Sequence, residues 1–444
     1  MGQYFGTDGV RGVANTELTP ELAFQLGRCG AYYLTKVNGK KHVIVGRDTR
    51  LSGEMLEAAF VAGVTSVGVD VTRLGVVTTP GVAFLTTEMG AGAGVMISAS
   101  HNPYPDNGIK FFGADGYKLS DESEAELERL IVEAEDNLPR PSGNEIGRIY
   151  DRPEAFHRYL EHVQASIDTD LCGMTIVVDC ANGGAANLAP RLLRDLGADV
   201  ITLHAKPDGM NINVDCGSTH PQNLQHEVVS RQAHVGLAFD GDADRLVAVD
   251  EQGELVDGDG IMAICAKYLK ERGELTQNKV VATVMSNIGF MKGLEQLGIE
   301  VETTAVGDRY VMEAMRKEGL SLGGEQSGHI IFLEHGTTGD GLLSAVQLLR
   351  VLKDRGQSLG DLAKVFTKFP QVLVNVTVKD KESYKQSEKV QTRIAAAEAA
   401  LGDDGRVLVR PSGTEPLVRV MAEGPDEEQI NHLVAEIATA IEEA

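Results

Sequence analysis

The sequence has few features of secreted, membrane-bound or disulfide-stabilised proteins. It contains five cysteines among 444 residues, an odd number with no CxxC pair, so reduced and mostly buried thiols are expected. No apolar stretch is long enough to span a bilayer, and the N-terminus lacks a basic segment followed by an apolar one. The first residues, MGQYFG, also lack the Ser or Thr that N-myristoylation requires where Gly6 stands. These absences predict a cytoplasmic protein without a membrane partner.

Two further absences limit the classes of function that the protein can have. A formal net charge of -24 argues against a surface that binds nucleic acid or anionic lipid, and an anionic substrate would need a locally basic pocket. The glycines at 90, 92 and 94 do not complete a GxGxxG fingerprint, and no GxxxxGK[ST] occurs. Nucleotide-dependent chemistry therefore lacks support.

The sequence contains the alternation of strand and helix patterns that is typical of an α/β protein. Short β-branched strands alternate with amphipathic helices, as in HVIVGRD at 42–48, which precedes a helix with Ser52 as its expected N-cap. A later helix is expected to open at Ser120, and the polar EDNLPRPSGN segment is a candidate domain end. After Pro370 the pattern becomes a small α+β domain, whose last helix carries one apolar face: Ile430, Leu433, Val434, Ile437 and Ile441.

The segment ISASHNPYPDNGIKFFG places a serine directly after a short predicted strand. Pro103, Pro105 and Gly108 stop regular structure, so Ser100 is expected at the carboxyl end of that strand, where ligands bind in open α/β sheets. Taken alone, the same segment is equally consistent with an ordinary solvated loop.

Three alternating carboxylates follow the strand-like VGLAF in DGDADR. Asp240, Asp242 and Asp244 offer the hard oxygen ligands that Mg²⁺ or Ca²⁺ prefers. An EF-hand is excluded because Arg245 stands where that loop needs glycine and because a strand follows. A metal-free turn is disfavoured, since carboxylates this close repel one another without a cation.

A Gly-containing turn with two arginines lies near the C-terminus, in RPSGTEPLVR. Its backbone N–H groups and two guanidiniums predict a phosphate site, although a solvated β-turn is the alternative. The residues of this candidate site are Arg410, Ser412, Gly413, Thr414 and Arg419.

Three more loops carry polar groups. In GGEQSGH, Glu325 and Ser327 suit sugar hydroxyls, while His329 is either a proton carrier or a structurally satisfied histidine. Arg11 in FGTDGVRG is either a phosphate contact or part of a structural turn, and in GRDTR an ion pair with Asp48 is the preferred interpretation of Arg47 and Arg50.

Together these motifs predict phosphoryl transfer without a nucleotide. Such transfer needs charge neutralisation and in-line positioning more than a strong base. Ser100 is the candidate phosphoryl carrier, and Lys110 lies near enough in sequence to shuttle a proton.

The motifs, in this order and along essentially the whole chain, resemble the α-D-phosphohexomutase superfamily and, through GEQSG, its amino-sugar branch. The resemblance implies four domains around a central cleft, three of them similar mixed α/β units: 1–150 with the serine loop, 151–253 with the metal loop, 254–369 with the sugar loop, and an α+β domain at 370–444 with the phosphate loop.

The resemblance also implies roles for individual residues. Ser100 would be a phosphoserine and would share Mg²⁺ with Asp240, Asp242 and Asp244, while Lys110 and His329 would move protons. Arg245 and Arg11 would contact the phosphoryl group. Candidate substrate-binding residues are His101, Asn102, Asp308, Arg309, Glu325, Ser327, Arg410, Ser412, Gly413, Thr414 and Arg419.

Three departures from the usual pattern accompany the resemblance. Ser98 stands where relatives often have threonine, Ala243 replaces a glycine of the metal loop, and VGDR lacks the histidine of many hexose mutases. A second catalytic histidine is therefore in doubt.

The implied reaction interconverts glucosamine 6-phosphate and glucosamine 1-phosphate through a sugar 1,6-bisphosphate, supplying amino-sugar nucleotide and cell-wall precursor synthesis. The expected partner is a phosphorylated amino sugar, with no nucleic acid and no membrane; relatives are often dimeric, which leaves a homodimer open. Rival hypotheses are a phosphomannomutase/phosphoglucomutase, a non-catalytic sugar-phosphate sensor and a metal-dependent phosphatase.

Overall fold

The computed structural model describes residues 4–6, 9–133, 137–378, 380–381, 383–411 and 417–443. It forms two compact units, one of residues 1–284 with 299–364 and the other of residues 285–298 with 365–444. Three mixed sheets lie in the first unit and one antiparallel sheet in the second. This arrangement confirms the predicted α/β class with a C-terminal α+β domain.

The first sheet has seven strands in the order β1-β2-β6-β5-β3-β4-β7. Its centre is parallel, because β3 runs parallel to both β4 and β5, while β6 returns antiparallel to β5. The elements are β1 Phe5–Gly6, β2 Gly9–Val13, α1 Pro20–Asn38, β3 His42–Arg47, α2 Gly53–Ser66, β4 Asp70–Val76, α3 Thr79–Glu88, β5 Ala93–Ile97, β6 Asp106–Gly113, α4 Asp121–Val132 and β7 Ile149–Asp151.

Two predicted helix starts in this sheet's layer have different outcomes. Ser120 caps α4 as predicted, since its Oγ accepts the Ser123 N–H at 3.3 Å. Ser52 occupies the predicted N-cap position of α2, but its side chain makes no cap because its backbone is already helical, with φ -69° and ψ -14°. Its Oγ instead accepts from the Asn107 amide at 2.9 Å.

The second sheet has five strands in the order β12-β11-β10-β8-β9, and the third has four in the order β14-β13-β15-β16. Strands β8, β9 and β10 are parallel, whereas β11 pairs antiparallel with β10. The elements are α5 Phe156–Ala165, β8 Thr175–Asp179, α6 Leu188–Asp195, β9 Asp199–Leu203, α7 Gln222–Ser230, β10 Val235–Phe239, β11 Leu246–Val249, β12 Leu255–Val256, α8 Gly258–Arg272, β13 Lys279–Thr283, β14 Glu300–Thr304, α10 Asp308–Glu318, β15 Leu322–Gly324, β16 Ile330–Phe332, α11 Gly341–Arg355 and α12 Leu359–Leu362.

The second unit is a three-stranded antiparallel sheet, in the order β17-β19-β18, covered by helices. The predicted apolar face of the last helix packs in its core, where Ile430, Val434, Ile437 and Ile441 are buried. The elements are α9 Ile288–Gln296, β17 Gln371–Thr377, α13 Ser383–Gln386, α14 Glu388–Leu401, β18 Arg406–Pro411, β19 Leu417–Glu423 and α15 Glu427–Glu442.

All five cysteines are free thiols, and only Cys172 is exposed. None of the helices in the described ranges is long and apolar enough to cross a membrane.

Candidate active site

The serine loop begins where the fully buried strand β5 ends, as the sequence predicts. Ser100 is 1% exposed and has φ 53°, in the left-handed region that few residues other than glycine adopt. Its N–H donates to Ser98 Oγ at 3.0 Å, and Ser98 in turn donates to Asp48 Oδ2 at 2.6 Å. Side chains that directly follow the ends of β3 and β5 thus fix the backbone that carries Ser100.

Arg50 and Asn213 hold the same loop by its carbonyl oxygens. The predicted ion pair between Arg50 and Asp48 is present at 2.9 Å, with both side chains fully buried. Arg50 also donates to the carbonyl oxygens of Ser100, Asn102, Pro103 and Asp106, at 2.6 to 3.0 Å. The Asn213 amide donates to Ser100 O at 2.9 Å and Asn102 O at 3.1 Å. Arg50 and Asn213, which lie far apart in sequence, therefore donate to the same two carbonyl oxygens.

The Ser100 hydroxyl is directed at the aspartate loop. Its Oγ donates to Asp240 Oδ2 at 2.5 Å and lies 3.2 Å from His101 Nδ1. Burial, together with the charges of Arg245 and Arg11, lowers the pKa of His101 to about 4. His101 is therefore neutral at physiological pH.

Asp240, Asp242 and Asp244 lie on the turn between β10 and β11. All three are buried, and their ligand oxygens lie within 4.8 Å of one another. The turn needs a left-handed residue at Ala243, φ 57°, where glycine would be adopted more readily. The predicted grouping of the three carboxylates is thus present in the fold.

The donor set fits a divalent cation. Asp242 Oδ1 and Asp244 Oδ1 are buried and have no hydrogen-bond partner in the part of the chain that the structure describes. Buried carboxylate oxygens without partners are costly unless a cation neutralises them. Burial and the neighbouring charges of Asp244 and Asp242 raise the pKa of Asp240 well above its usual range, an effect that a bound cation would reverse.

Lys110 lies on β6 and faces this cluster. Its Nζ is 2.8 Å from Asp242 Oδ2 and 3.9 Å from Asp244 Oδ2, and the side chain is 1% exposed. Thr79, at the start of α3, also donates to Asp242 Oδ2 at 2.5 Å. Burial acts to raise the pKa of Asp244, but the charge of Lys110 and the contact with His329 hold it far below its usual range. The Lys110 ammonium group therefore lies beside two of the three carboxylates.

The two arginines predicted to contact the phosphoryl group both lie near His101. The Arg245 N–H donates to Asp240 Oδ1 at 3.2 Å, and its Nε is 3.9 Å from Asp244. Arg11 lies on β2, where it pairs with Gly108 of β6. Both arginines lower the pKa of His101, so both guanidiniums are electrostatically close to the serine loop.

His329 lies between two carboxylates. Its Nδ1 is 3.6 Å from Asp244 Oδ2, and its Nε2 is 3.6 Å from Asp308 Oδ2. Burial opposes protonation, but the hydrogen bond and charge of Asp244 outweigh it and raise the pKa of His329. Because the Gly339 N–H donates to Nε2 at 3.0 Å, the neutral ring carries its proton on Nδ1, toward Asp244.

The remaining predicted substrate residues of this unit lie around β15, α10 and the serine loop. Glu325 is half-buried and accepts the Gly307 N–H at 3.0 Å, while Ser327 is exposed. Asn102 uses its side-chain amide to hold Asp106 at 2.9 Å. Asp308 is paired with Lys118, whereas Arg309 is paired with Asp121 and lies 3.6 Å from Glu124 of α4.

The predicted phosphate loop belongs to the second unit. Arg410 and Arg419 face each other across the β18–β19 pair, and both are partly buried. Burial, with the charge of Arg419, lowers the pKa of Arg410. Ser412, Gly413 and Thr414 lie outside the described residues.

Sequence reasoning missed four residues of the site: Arg50 as a loop-positioning group, Thr79, Lys118 and Asn213. For Lys118, the sequence offered one local indication, namely that it lies two residues before the predicted N-cap at Ser120. Asn213 bonds to a carbonyl 113 residues away, and no local pattern indicates such a contact.

Comparison with known proteins agrees with this geometry. The chain matches four domain models of one family, phosphoglucomutase/phosphomannomutase alpha/beta/alpha domains I, II and III and the C-terminal domain, at residues 2–138, 157–253, 257–369 and 373–440. It is 60% identical over 441 residues to a phosphoglucosamine mutase of Geobacillus thermodenitrificans, covering 99% of this chain and 98% of that protein.

Solved structures show the same fold. A phosphoglucomutase/phosphomannomutase family protein from Burkholderia thailandensis has a TM-score of 0.84 at 26% identity, covering 98% of this chain and 97% of that one. Aspergillus fumigatus N-acetylphosphoglucosamine mutase, crystallised with GlcNAc-6P and magnesium, has a TM-score of 0.69 at 18% identity, covering 99% and 96%. With all four domains matched and a relative 60% identical along its whole length, the chain belongs to the phosphoglucomutase/phosphomannomutase family.

Proposed function

We propose that the chain is a phosphoglucosamine mutase, which interconverts glucosamine 6-phosphate and glucosamine 1-phosphate. The observation that carries this proposal is the hydrogen bond of 2.5 Å from the Ser100 hydroxyl to Asp240. Asp240 belongs to the buried aspartate triad, and another member of that triad, Asp242, pairs with Lys110. The 60% identical relative bears the same activity in its name.

Ser100 is proposed to carry the phosphoryl group in the resting enzyme. The P–Oγ bond breaks as a P–O bond forms to the free hydroxyl of the sugar phosphate, and the hydroxyl proton passes to a base. The other phosphoryl group of the resulting 1,6-bisphosphate is then transferred to Ser100 Oγ. Its bond to the sugar oxygen breaks as a new P–Oγ bond forms, and that sugar oxygen takes a proton. No water is consumed and no phosphate is released.

The residues around Ser100 suit these steps. Asp240, Asp242 and Asp244 would hold Mg²⁺, which supplies charge neutralisation for the phosphoryl oxygens. Lys110 and His329 are the proposed proton carriers, since each lies within 4 Å of an aspartate of the triad. Arg245 and Arg11 would pair with phosphoryl oxygens beside His101.

Substrate recognition is assigned to the other predicted residues. His101, Asn102, Asp308, Arg309, Glu325 and Ser327 would bind the sugar, and the loop with Arg410, Ser412, Gly413, Thr414 and Arg419 would bind the phosphate that does not react. We keep the domain division 1–150, 151–253, 254–369 and 370–444, a cytoplasmic location and a homodimer as hypotheses for solution study.

Mass spectrometry of the intact protein, with peptide mapping, tests the proposal. After incubation with glucose 1,6-bisphosphate, one phosphoryl group is expected on the peptide that contains Ser100, and glucosamine 6-phosphate should discharge it. The Ser100→Ala variant should take up none and lose turnover, whereas Ser327→Ala should still be phosphorylated. An unmodified Ser100 under all conditions refutes the mutase mechanism.

Substrate class is tested by comparing kcat/KM for glucosamine 6-phosphate, mannose 1-phosphate and glucose 1-phosphate. A preference for the amino sugar is expected. A preference for either hexose phosphate would favour the phosphomannomutase/phosphoglucomutase hypothesis, and inorganic phosphate released in step with substrate loss would indicate a phosphatase.

A further inference from the structure

A second cluster of metal-ligating side chains lies in the second sheet. Asp179 ends strand β8, His204 follows the end of the neighbouring parallel strand β9, and Cys216 lies in the connection before α7. Their ligand atoms lie within 4.8 Å of one another, and Asp179 and Cys216 are fully buried. Three different ligand types thus converge from three separate segments.

The His204 ring faces the Asp179 carboxylate. Its Nδ1 is 3.0 Å from Asp179 Oδ2, yet this buried nitrogen has no aligned hydrogen-bond partner among the residues with described positions. The two groups form an ion pair, since contact with Asp179 and the charge of its carboxylate raise the pKa of His204. Two ligands of one tetrahedral zinc ion have a similar N···O separation, roughly 3.3 Å, with both lone pairs directed at the metal.

Neighbouring groups help to orient Asp179 and His204. The Asp179 carboxylate accepts the N–H groups of Ala181 and Gly217, each at 2.9 Å, so its orientation is fixed. The other ring nitrogen of His204 lies 3.4 Å from the Asn223 amide, which can orient the imidazole. Such outer contacts hold metal ligands in place.

We propose that Asp179, His204 and Cys216 bind one Zn²⁺ ion. A carboxylate and a thiolate together balance the charge of a dication, and sulfur and imidazole donors favour zinc over Mg²⁺ or Ca²⁺. The fourth position falls to water, because the His204 side chain is 26% exposed. Zinc binding would release the Cys216 thiol proton, because the thiolate is the form that binds the metal.

The role of this site is structural. Asn213 lies three residues before Cys216; its N–H donates to Ala181 O at 3.0 Å, and its amide holds the carbonyl oxygen of Ser100. A metal ion bound to Asp179 and Cys216 would tie the 213–216 segment to the end of β8. It therefore braces a support of the serine loop without contacting the substrate.

The experiment is a Co²⁺ and Zn²⁺ titration of the purified full chain in excess Mg²⁺, which saturates the oxygen-only site. One equivalent of Co²⁺ is expected to produce a thiolate-to-cobalt charge-transfer band in the near ultraviolet, and Zn²⁺ should abolish it stoichiometrically. Metal analysis after dialysis should then find one zinc per chain.

Variants assign the ligands. Cys216→Ala and His204→Asn should each weaken Zn²⁺ binding by at least about tenfold, and Asn suits the left-handed φ of 45° at residue 204. Cys265→Ala, which removes another buried thiol, and Asp242→Asn should keep the band. Absence of the band in the unaltered chain, or its persistence in Cys216→Ala, overturns the proposal; the first readout needs no variant to fold.

Discussion

Arg50 Nη2 donates a hydrogen bond to the carbonyl oxygen of Ser100 at 2.9 Å, and the Arg50 side chain is fully buried. The residue proposed to carry the phosphoryl group is therefore held through its backbone, by a guanidinium that has no surface for a substrate. Arg50 is a positioning residue rather than a catalytic one.

Replacing Arg50 with lysine should lower kcat by roughly 100-fold while leaving KM nearly unchanged, because a small displacement of Ser100 spoils in-line geometry without altering the sugar contacts. Steady-state kinetics measures both constants. Arg47→Lys is the matched control, since Arg47 pairs with Glu54 and Glu57 instead. A wild-type kcat in Arg50→Lys would refute the positioning role.

Asp242→Asn should weaken Mg²⁺ binding by more than about tenfold, because it removes one of three negative charges from the proposed ligand set. Isothermal titration calorimetry measures the affinity. Asp257→Asn is the control, since Asp257 caps α8 through its side chain and asparagine caps equally well. Unchanged affinity in Asp242→Asn would place the metal elsewhere.

Lys110→Met should abolish most turnover and increase the rise in Tm that Mg²⁺ causes. Without the ammonium group 2.8 Å away, Asp242 is a buried charge that lacks its compensating partner, so the metal-free protein is destabilised and gains more from a cation. Thermal melting with and without Mg²⁺ measures this gain. Lys279→Met, which breaks surface pairs with Glu300, Glu302 and Glu318, should leave the Mg²⁺ response unaltered.

Asp340 should make stability depend on pH. Burial raises its pKa from 3.8 to about 6, even though it caps α11 and accepts from Tyr159. Because the folded state holds this proton more tightly than the unfolded state, stability falls as pH rises from about 4 to 6, by up to roughly 3 kcal/mol.

Asparagine at position 340 keeps the cap and removes the ionisation, so the Tm of Asp340→Asn should increase relative to wild type between pH 4 and pH 7. Melting curves across this range measure the difference, with Asp426→Asn, at the exposed N-cap of α15, as the matched control. A constant difference would show that Asp340 does not titrate as described.

Local structure was predictable wherever the cause lies nearby in the chain. The strand before Ser100, the Ser120 cap and the pair between Arg50 and Asp48 each depend on residues only a few positions apart. Ser52 stands at its predicted position, but the side-chain cap is absent because the backbone there is already helical, and its hydroxyl accepts from Asn107, 55 residues away.

The assembly of the site depends on contacts between residues that lie far apart in the sequence. Ser100 and Asp240 are 140 residues apart and Lys118 and Asp308 are 190 apart, so no periodicity or turn signal connects them. The family resemblance indicated that the serine and aspartate loops meet. It did not indicate the Arg50 and Asn213 contacts that fix where they meet, because those depend on how carbonyl groups are turned in the folded loop.

The left-handed backbone at Ser100 restricts which nucleophiles the site can use. Threonine offers an equivalent hydroxyl, yet its β-branched side chain is strongly disfavoured at a φ of 53°. Replacing serine with threonine keeps the hydroxyl, but here it would require the main chain to change its conformation. The stereochemistry of the loop therefore favours serine over threonine at this position, although both side chains carry a hydroxyl.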